Sequence, residues 1–382
     1  MSTAAAGNRA DFLIVGAGIA GASVAYWLAR HARVIVLERE EQPGYHATGR
    51  SAALFAESYG TPQVRALTQA SRAFFDSPPK RFSDHPLLSS RGALIVATRG
   101  QEELLRARWK TLSARGDTLR LLSSAEACAM VPALRPEQVI GAIFDPGAAD
   151  IDVHALHQGY LRGVRQGAGA VVCGAEVSAA QRRDDLWWLA AGGQTYAAPV
   201  LVNAAGAWVD QVASLAGVAP IGLEPRRRSA FLFAPPEDLD TACWPLTIGI
   251  AEDWYFKPDA GLLLGSPANA DPVPPHDVQA EELDVATGIH RIERVTTLSI
   301  RRPSHRWAGL RSFVADGDLV GGFDPLSPGF FWLAAQGGYG IQTSPAMGES
   351  CAALLRGEPI PAHLADFGFS AATLGPQRLA RR

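Results

Sequence analysis

The segment 10–38 constrains the fold more than any other part of the chain, because it combines a glycine motif with two apolar runs. It reads ADFLIVGAGIAGASVAYWLARHARVIVLE. The motif GAGIAG directly follows the first run, and a stretch with helical apolar spacing separates it from the second run, 34–37. This order of strand, glycine turn, helix and strand predicts a βαβ unit that binds a dinucleotide.

Each part of the motif has a mechanical role in such a unit. Gly16 allows the tight turn, Gly18 lets the backbone approach a pyrophosphate, and Gly21 lets the helix pack closely on the sheet. The helix N-terminus offers free N–H groups to the phosphates. Glu38 stands where a carboxylate accepts the ribose hydroxyls and disfavours a 2′-phosphate. The alternative, a glycine turn that serves packing alone, would leave Glu38 at a buried strand end without a partner.

Composition excludes several classes of function. The 382 residues are 47% hydrophobic and 19% charged, with a net charge of −3, so we expect a globular protein of about two domains without affinity for nucleic acid. The four cysteines are far apart and show no CxxC spacing, which predicts reduced thiols and no metal site. Neither a signal peptide nor a membrane span is predicted. The predicted location is the cytoplasm, with peripheral contact to the inner membrane as the alternative.

Two further small-residue turns precede helices and suit close approach to a ligand. The segment 203–208 reads NAAGAW, and 336–341 reads QGGYGI. For 203–208 taken alone, a turn that serves only packing is an equally good interpretation. Between the βα pieces the pattern changes to short strands, so two domains with interleaved segments are predicted. The segment 54–60 is a candidate lid, and its Tyr59 is either a surface aromatic or a hydroxyl that faces a substrate.

Several strings in order resemble the FAD-dependent D-amino acid oxidase / glycine oxidase (DAO) family over nearly the whole chain: GAGIAG, HATGRSA, VNAAGAW, WAGLRS and AAQGGYG. The strings QPGYHATGRSA, DIDVHALHQGYLRG, GLLLGSPANADP and QGGYGIQTS resemble a narrower group, the bacterial D-arginine dehydrogenase-like D-amino acid dehydrogenases. The resemblance implies FAD. Because Ser312 and Phe313 stand where sarcosine-oxidase relatives carry a flavin-linking cysteine, the FAD is expected to be noncovalent.

The fold class implied is α/β (α+β), a Rossmann-like FAD-binding domain interleaved with a substrate domain built on an antiparallel sheet. The predicted FAD-binding domain comprises residues 10–52, 145–225 and 309–370, the substrate domain 53–144 and 226–308, and the tails 1–9 and 371–382. The predicted cofactor-binding residues are Gly16, Gly18, Ile19, Ala20, Gly21, Glu38, Arg39, Thr48, Arg50, Ser51, Ala52, Val177, Ala205, Gly206, Trp208, Gly309, Gly337, Gly338, Tyr339, Gly340 and Ile341.

The resemblance also implies a grip on the carboxylate of an amino acid. An arginine suits this role, because its planar fork binds both carboxylate oxygens and stays charged when buried. Arg311 and Tyr255 match the family's carboxylate-binding pair, and Arg228 is a second positive group, with plain surface charge as the alternative for both arginines. Tyr59 matches the lid tyrosine. The predicted catalytic set is Arg311, Tyr255, Arg228, Tyr59 and Gly338.

The predicted substrate pocket is apolar. The arginine-preferring relatives carry a glutamate and a histidine where this chain has Ala93 and Leu54. Burial of a guanidinium without a partner charge is costly, so neutral or hydrophobic D-amino acids are expected to be favoured over D-Arg and D-Lys. The predicted pocket residues are Leu54, Ala56, Ala93, Leu246, Ile248 and Gln336.

The implied reaction is oxidative deamination by a dehydrogenase, with an oxidase as the lesser alternative. A hydride leaves Cα toward flavin N5, and the imine hydrolyses to a 2-oxo acid and ammonia. No general base is required, so His46 is interpreted as a satisfied loop histidine rather than a base or a flavin link. The electron acceptor, whether a quinone, a dye or a respiratory component, stays open. Three alternatives remain: a glycine, sarcosine or proline-type secondary amine oxidase, a non-catalytic FAD-binding sensor or scaffold, and an NAD-binding protein.

Overall fold

A computed structural model describes residues 5–113 and 118–379. The outer ends of the predicted tails, residues 1–4 and 380–382, lie outside the described residues. In the described ranges the strands are, in chain order, β1 (Phe12–Val15), β2 (Val34–Leu37), β3 (Leu54–Phe55), β4 (Leu88–Ser90), β5 (Ala93–Thr98), β6 (Arg120–Ser123), β7 (Val139–Asp145), β8 (Ala149–Ile151), β9 (Gly169–Val172), β10 (Val177–Arg183), β11 (Leu186–Ala191), β12 (Gln194–Ala198), β13 (Val200–Asn203), β14 (Glu224–Phe233), β15 (Leu246–Gly249), β16 (Tyr255–Asp259), β17 (Leu262–Ser266), β18 (Asp271–Pro272), β19 (His305–Phe313), β20 (Val320–Phe323) and β21 (Phe330–Ala334).

The helices of these ranges are, in the same order, α1 (Ile19–Leu28), α2 (Pro62–Asp76), α3 (Glu102–Ser113), α4 (Ser124–Met130), α5 (Val153–Gln166), α6 (Val209–Leu215), α7 (Glu282–Val295), α8 (Gly340–Leu355), α9 (Ala362–Ala365) and α10 (Ala371–Leu374). Short polar side chains cap the N-termini of several helices. Thr61 accepts a hydrogen bond from the backbone N–H of Val64 at the start of α2, and Asp152 does the same for Ala155 at the start of α5. In the described ranges, no helix has the length and apolarity needed to cross a membrane.

The first sheet has six strands in the order β20-β21-β13-β1-β2-β9. All neighbouring pairs are parallel except β20 and β21. Helices α1, α5 and α8 form one group on it, with α1 in contact with both others. The residues of β1 and β2 are buried throughout, since apolar clusters cover both faces of the sheet. A three-stranded antiparallel sheet, β10-β11-β12, lies beside it.

The second large sheet has nine strands in the order β18-β14-β17-β16-β15-β5-β7-β6, with β19 paired to β14. Helix α7 packs on one face, where Phe231 and Ile292 share an apolar cluster. The register aligns residues on the opposite face: Ile248 lies opposite Tyr255, and Leu246 lies beside Ala93. A small sheet, β3-β8-β4, carries the start of the candidate lid. The nine-stranded sheet is antiparallel except for the parallel pair β5 and β15. The combination of a mostly parallel and a mostly antiparallel sheet confirms the predicted fold class.

Ser123 is the N-cap of α4, where it forms a capping box with Glu126. One detail differs from the sequence prediction. Residues 371–379, predicted as a tail, form α10 and a short turn, with Leu374 fully buried and Arg378 Nε 2.8 Å from Asp316 Oδ2. The domain boundaries stay a prediction. Helix α2, assigned to the substrate domain, packs on α8 and shares the apolar cluster of α1.

Candidate active site

A long cleft follows the carboxyl ends of β1 and β2. It contains about 1360 Å³ of space between atoms, part of it open to solvent. Parallel sheets bind ligands at this edge, where loops leave the strands toward helix N-termini. The predicted cofactor residues that line the cleft are Gly16, Gly18, Ile19, Ala20, Glu38, Arg39, Thr48, Arg50, Val177, Ala205, Gly206, Trp208 and Gly337. The βαβ motif and the two later turns therefore meet at one cavity.

The motif glycines are held in place by close backbone packing. Gly16 has a φ of +100°, and a Cβ built on it would lie 2.5 Å from the Ala204 carbonyl oxygen. A Cβ on Gly21 would lie 1.9 Å from the Gly16 carbonyl oxygen. Gly21 lines neither cavity, in keeping with its predicted role in helix packing. Gly18 faces open space, with only the Thr48 hydroxyl within 4 Å of a built Cβ, at 3.3 Å.

Glu38 is buried at the end of β2 and has protein partners. Its Oε2 accepts a hydrogen bond of 2.8 Å from the N–H of Ala17, and its Oε1 accepts one of 3.0 Å from the N–H of Glu40. The expectation that Glu38 would lack partners without a ligand is therefore wrong. A carboxylate has about four acceptor positions, so two remain for ribose hydroxyls. Thr48 Oγ1 accepts a hydrogen bond of 2.9 Å from the N–H of Ile19. This amide at the start of α1 therefore already has a protein partner.

Trp208 and two residues packed on its ring, Arg39 and His46, line the same cleft as Glu38. The Arg39 guanidinium lies 4.8 Å from the ring centroid of Trp208, and the His46 ring lies 4.6 Å from it. His46 Nε2 is also 2.8 Å from Glu40 Oε1. Because this histidine has a carboxylate and an indole as neighbours, the geometry favours its interpretation as a satisfied loop residue.

A second cavity of about 660 Å³ adjoins the first. Ile19, Thr48, Arg50, Gln336 and Gly337 line both cavities, so the two cavities are direct neighbours. The other predicted residues that line the second cavity are Ser51, Ala52, Arg228, Tyr255, Gly309, Arg311, Gly338, Gly340 and Ile341. The second cavity thus lies between the C-terminal glycine turn and the antiparallel sheet.

Two arginines and a tyrosine face each other in this second cavity. Arg311 lies so close to Gly338 that a Cβ built there would be 2.9 Å from Arg311 Nη1. Arg228 donates from Nε to the carbonyl oxygen of Asn269 at 2.5 Å. Burial and the neighbouring charge of Arg311 lower the pKa of Arg228 to about 10, against the opposing effect of Tyr255. Arg228 therefore stays positive at neutral pH, and two guanidiniums are available for an anion.

Two lid-side tyrosines complete the surroundings of these arginines. The rings of Tyr59 and Tyr339 are 5.3 Å apart in an edge-to-face arrangement. Burial and the neighbouring Tyr59 raise the pKa of Tyr339 to about 12. Tyr339 was predicted to bind cofactor, but its side chain packs on Tyr59 and lines neither cavity. Its ring therefore belongs to the lid side of the site.

The predicted pocket residues on the sheet and lid lie in one apolar cluster. Ala56, Ala93 and Leu246 are buried in it beside Tyr255, and Leu54, Ile248 and Tyr59 pack against it. They line neither cavity directly. Gln336 lies apart from the cluster, in the glycine turn. The structure therefore brings five of the predicted pocket residues into one apolar cluster beside Tyr255, and their role as a substrate pocket stays a prediction.

Arg50, which is predicted to bind the cofactor, has several protein partners. Its Nη1 donates to the carbonyl oxygens of Val278 at 3.0 Å and Ala308 at 3.2 Å, and its Nη2 lies 2.5 Å from Asp277 Oδ1. The Arg50 side chain therefore contacts segment 277–278, of which Val278 lines the cleft. Ser51 is exposed, and its Oγ accepts from the N–H of Ala53 at 3.2 Å.

Sequence reasoning missed several residues that line the cavities. Ala47 and Leu310 line both, and their places beside Thr48 and Arg311 were a usable signal. Gln211 and Val278 line the first cavity, but no local pattern marks them. In the described residues, no group of three or more histidines, cysteines or acids stands close enough to hold a metal ion.

The first cavity fits an extended dinucleotide, and the second fits a small acid beside its far end. The fit rests on the open space at Gly18, the free acceptor positions of Glu38 and the glycine turn at 336–338. A βαβ dinucleotide site beside a second sheet with paired arginines defines a dinucleotide-binding protein with a positively charged site next to its cofactor cleft.

The comparisons with known proteins identify the family. The model of the DAO family, described as FAD dependent oxidoreductase, matches residues 11–354. The chain therefore belongs to the DAO family of FAD-dependent oxidoreductases, and FAD is its cofactor. A bovine relative, FAD-dependent oxidoreductase domain-containing protein 1 from Bos taurus, is 26% identical over 95% of this chain and 85% of its own length.

Solved structures share the fold over the whole chain. Glycine oxidase from Geobacillus kaustophilus superposes with a TM-score of 0.82 at 22% identity, covering 98% of this chain and 99% of that one. L-Proline dehydrogenase from P. horikoshii also gives a TM-score of 0.82, at 19% identity, covering 97% of this chain and 98% of that one.

Proposed function

We propose that this FAD-dependent oxidoreductase oxidatively deaminates D-amino acids with neutral or hydrophobic side chains. The observation that carries the proposal is the juxtaposition of Arg311, Arg228 and Tyr255 at the cavity beside the glycine turn, next to an apolar cluster. The arginines suit a carboxylate, and the cluster suits an uncharged side chain. The narrower likeness to D-arginine dehydrogenase-like enzymes is part of this proposal.

In this proposal the chain's own residues bind and orient the acid. Arg311 and Arg228 hold its carboxylate with charge-assisted hydrogen bonds, and Tyr255 donates its hydroxyl to the same group. When bound, FAD would supply the two-electron oxidation of the substrate's Cα–N bond. Among the described residues that line the second cavity there is no carboxylate or imidazole, so the amine enters neutral without a base. The positive charge of two guanidiniums favours that neutral form.

Four features of the proposal concern the cofactor and its partners. FAD is bound noncovalently, in keeping with the absence of all four cysteines from the lining of both cavities. Gly16, Gly18 and the start of α1 hold its pyrophosphate, and Gly337 and Gly338 border the flavin. The electron acceptor is a quinone, a dye or a respiratory component. The protein acts in the cytoplasm.

Anaerobic reduction of the flavin across a panel of D- and L-amino acids tests the proposal. We expect D-Leu, D-Met and D-Phe to bleach the flavin with a higher kcat/KM than D-Arg and D-Lys, because Ala93 offers no partner charge. The matched variant Ala93→Glu should shift the ratio of D-Arg to D-Leu at least about tenfold toward D-Arg, since a hydrogen bond to a charged group contributes roughly 1.5–3 kcal/mol. A preference of the wild type for D-Arg would contradict the proposal.

A second candidate is oxidation of a secondary amine or of glycine. It is favoured by the solved glycine oxidase and L-proline dehydrogenase that share the fold. Glycine, sarcosine and proline belong in the same panel. Rapid flavin reduction by these three and none by D-Leu would favour this candidate, whereas a flavin that no amine reduces would favour the sensor or scaffold.

A further inference from the structure

A buried carboxylate outside the two cavities contacts the lid segment, residues 54–60. Asp145 ends β7, is 6% exposed, and lies opposite Ala93 in the register of the nine-stranded sheet. Its Oδ2 accepts a hydrogen bond of 2.6 Å from the Ser58 hydroxyl. Its Oδ1 accepts one of 3.0 Å from the N–H of Gly147. Both carboxylate oxygens are thus used, one by the lid and one by its own loop.

The contact fixes the middle of the lid segment to the rigid sheet. The segment begins in β3, where Leu54 pairs with Asp150 of β8. It ends at Gly60, whose φ is +94° and whose Cβ, if built, would lie 2.6 Å from Val64 Cγ1. Between these ends, Ser58 is held by a short, charge-assisted hydrogen bond, which is among the stronger contacts available to a hydroxyl.

The neighbour of Ser58 is Tyr59, which lies close enough to Arg228 to interact with it electrostatically. Tyr59 packs edge-to-face on Tyr339 and against the cluster that contains Tyr255. Its backbone N–H donates to the carbonyl oxygen of Ala56 at 3.2 Å, which closes a turn inside the lid. A restraint on Ser58 is therefore transmitted to Tyr59 through one peptide unit of that turn.

We propose that Asp145 is a positioning residue: through Ser58 it holds the lid segment closed, with Tyr59 directed at the carboxylate-binding arginines. The proposal rests on the proposed function for the identity of the acid that Tyr59 meets. It assigns no contact between Asp145 and the substrate. Its consequence is that affinity for the amino acid depends on a hydroxyl at position 58, which itself touches neither cavity.

The hydrogen bond between Ser58 and Asp145 is called the latch below. Hydrogen–deuterium exchange of peptides covering residues 54–60 tests it without any substrate. In the FAD-loaded protein, Ser58→Ala should speed exchange there roughly tenfold, the factor that corresponds to about 1.4 kcal/mol and lies near the upper range for one hydrogen bond. Ser58→Thr, which keeps the hydroxyl, should restore protection. Ser89→Ala, an exposed serine on the same small sheet, is the control and should leave exchange unchanged. Equal exchange in Ser58→Ala and wild type would overturn the latch.

Steady-state kinetics test the link to Tyr59. Ser58→Ala should raise KM for the best D-amino acid roughly tenfold while flavin content and kcat change less than about twofold. In a Tyr59→Phe background the same change should add little, since interacting sites are not additive. Full additivity would refute action through Tyr59. If no amino acid reduces the flavin, the proposed function fails, and the exchange experiment still decides whether the latch exists.

Discussion

The contact between Gly338 and Arg311 leaves no space for a side chain. We therefore expect Gly338→Ala to push the guanidinium away from its place and raise KM for the amino acid at least about tenfold, the loss that one misplaced charged hydrogen bond produces. Gly7→Ala is the matched control, because a Cβ there meets nothing within 4 Å. An unchanged KM in Gly338→Ala would show that Arg311 does not bind the substrate.

Arg228 predicts a pH dependence of carboxylate binding. Its pKa is lowered to about 10 by burial and by Arg311, so binding strength that depends on its charge is present below that pH and lost as pH rises through it. We expect the Kd of 4-methylpentanoate, an analogue of leucine without the amine, to rise above pH about 10. Arg228→Met should weaken binding at pH 8 roughly tenfold or more. In this variant the Kd should no longer rise above that pH.

Flavin difference spectra measure the Kd in that titration. Arg306→Met serves as the control, since the Arg306 side chain is 55% exposed on β19. It should reproduce the wild-type curve. A wild-type Kd that stays flat between pH 8 and 11 would contradict the assignment of Arg228 to the carboxylate.

Individual residues were predictable where the signal is local. Gly16 and Glu38 follow from spacing within one βαβ unit, because the turn geometry and the strand length fix their positions. The partners of Arg50 were not predictable, since Asp277 lies more than two hundred positions away and only the folded chain brings it near. The position of Val278 in the wall of the first cavity was not predictable for the same reason.

Within the βαβ unit, Gly18 and Gly21 have separable roles. A Cβ on Gly21 would lie 1.9 Å from backbone, whereas one on Gly18 would meet only the Thr48 hydroxyl at 3.3 Å. Gly21→Ala should therefore destabilise the protein by about 3 kcal/mol or more through overpacking. Gly18→Ala should keep the melting temperature of the apoprotein within a few degrees yet reduce FAD affinity at least tenfold, because its methyl group enters the cleft.

Apoprotein Tm and flavin absorbance per chain separate these two effects. The pair acts as its own control, since both changes add one methyl group to the same glycine motif. Normal flavin content in a well-folded Gly18→Ala protein would contradict the proposed course of the pyrophosphate.

Helix boundaries were more predictable than strand neighbours. Thr61 and Asp152 cap α2 and α5 as the local sequence indicates. The order β21-β13-β1-β2-β9 joins strands from widely separated parts of the chain. An apolar run in the sequence does not indicate which other strand it pairs with. The packing of α2 on α8 likewise depends on contacts that no local pattern encodes.

The first cavity is built by segments from both predicted domains. His276 and Val278, from the predicted substrate domain, line it together with the βαβ motif. Arg50 connects the two sides through Asp277 and the carbonyl oxygens of Val278 and Ala308. Cofactor retention should therefore depend on a contact that lies between the two halves of the chain and outside the dinucleotide motif.

Asp277→Asn should speed release of FAD about threefold to tenfold, because it replaces a charge-assisted hydrogen bond beside the cleft by a neutral one. The hydrogen bond from Arg50 lowers the pKa of Asp277, so the contact persists at mild acid and fails only as pH falls through that lowered pKa. Wild-type FAD release should accelerate there, and release from Asp277→Asn should not depend on pH in that range. Rapid dilution of the FAD-loaded protein, followed by flavin fluorescence, measures both release rates. Asp238→Asn is the control, because the Asp238 carboxylate is exposed. Identical release from all three proteins would show that the two sides hold FAD without this bridge.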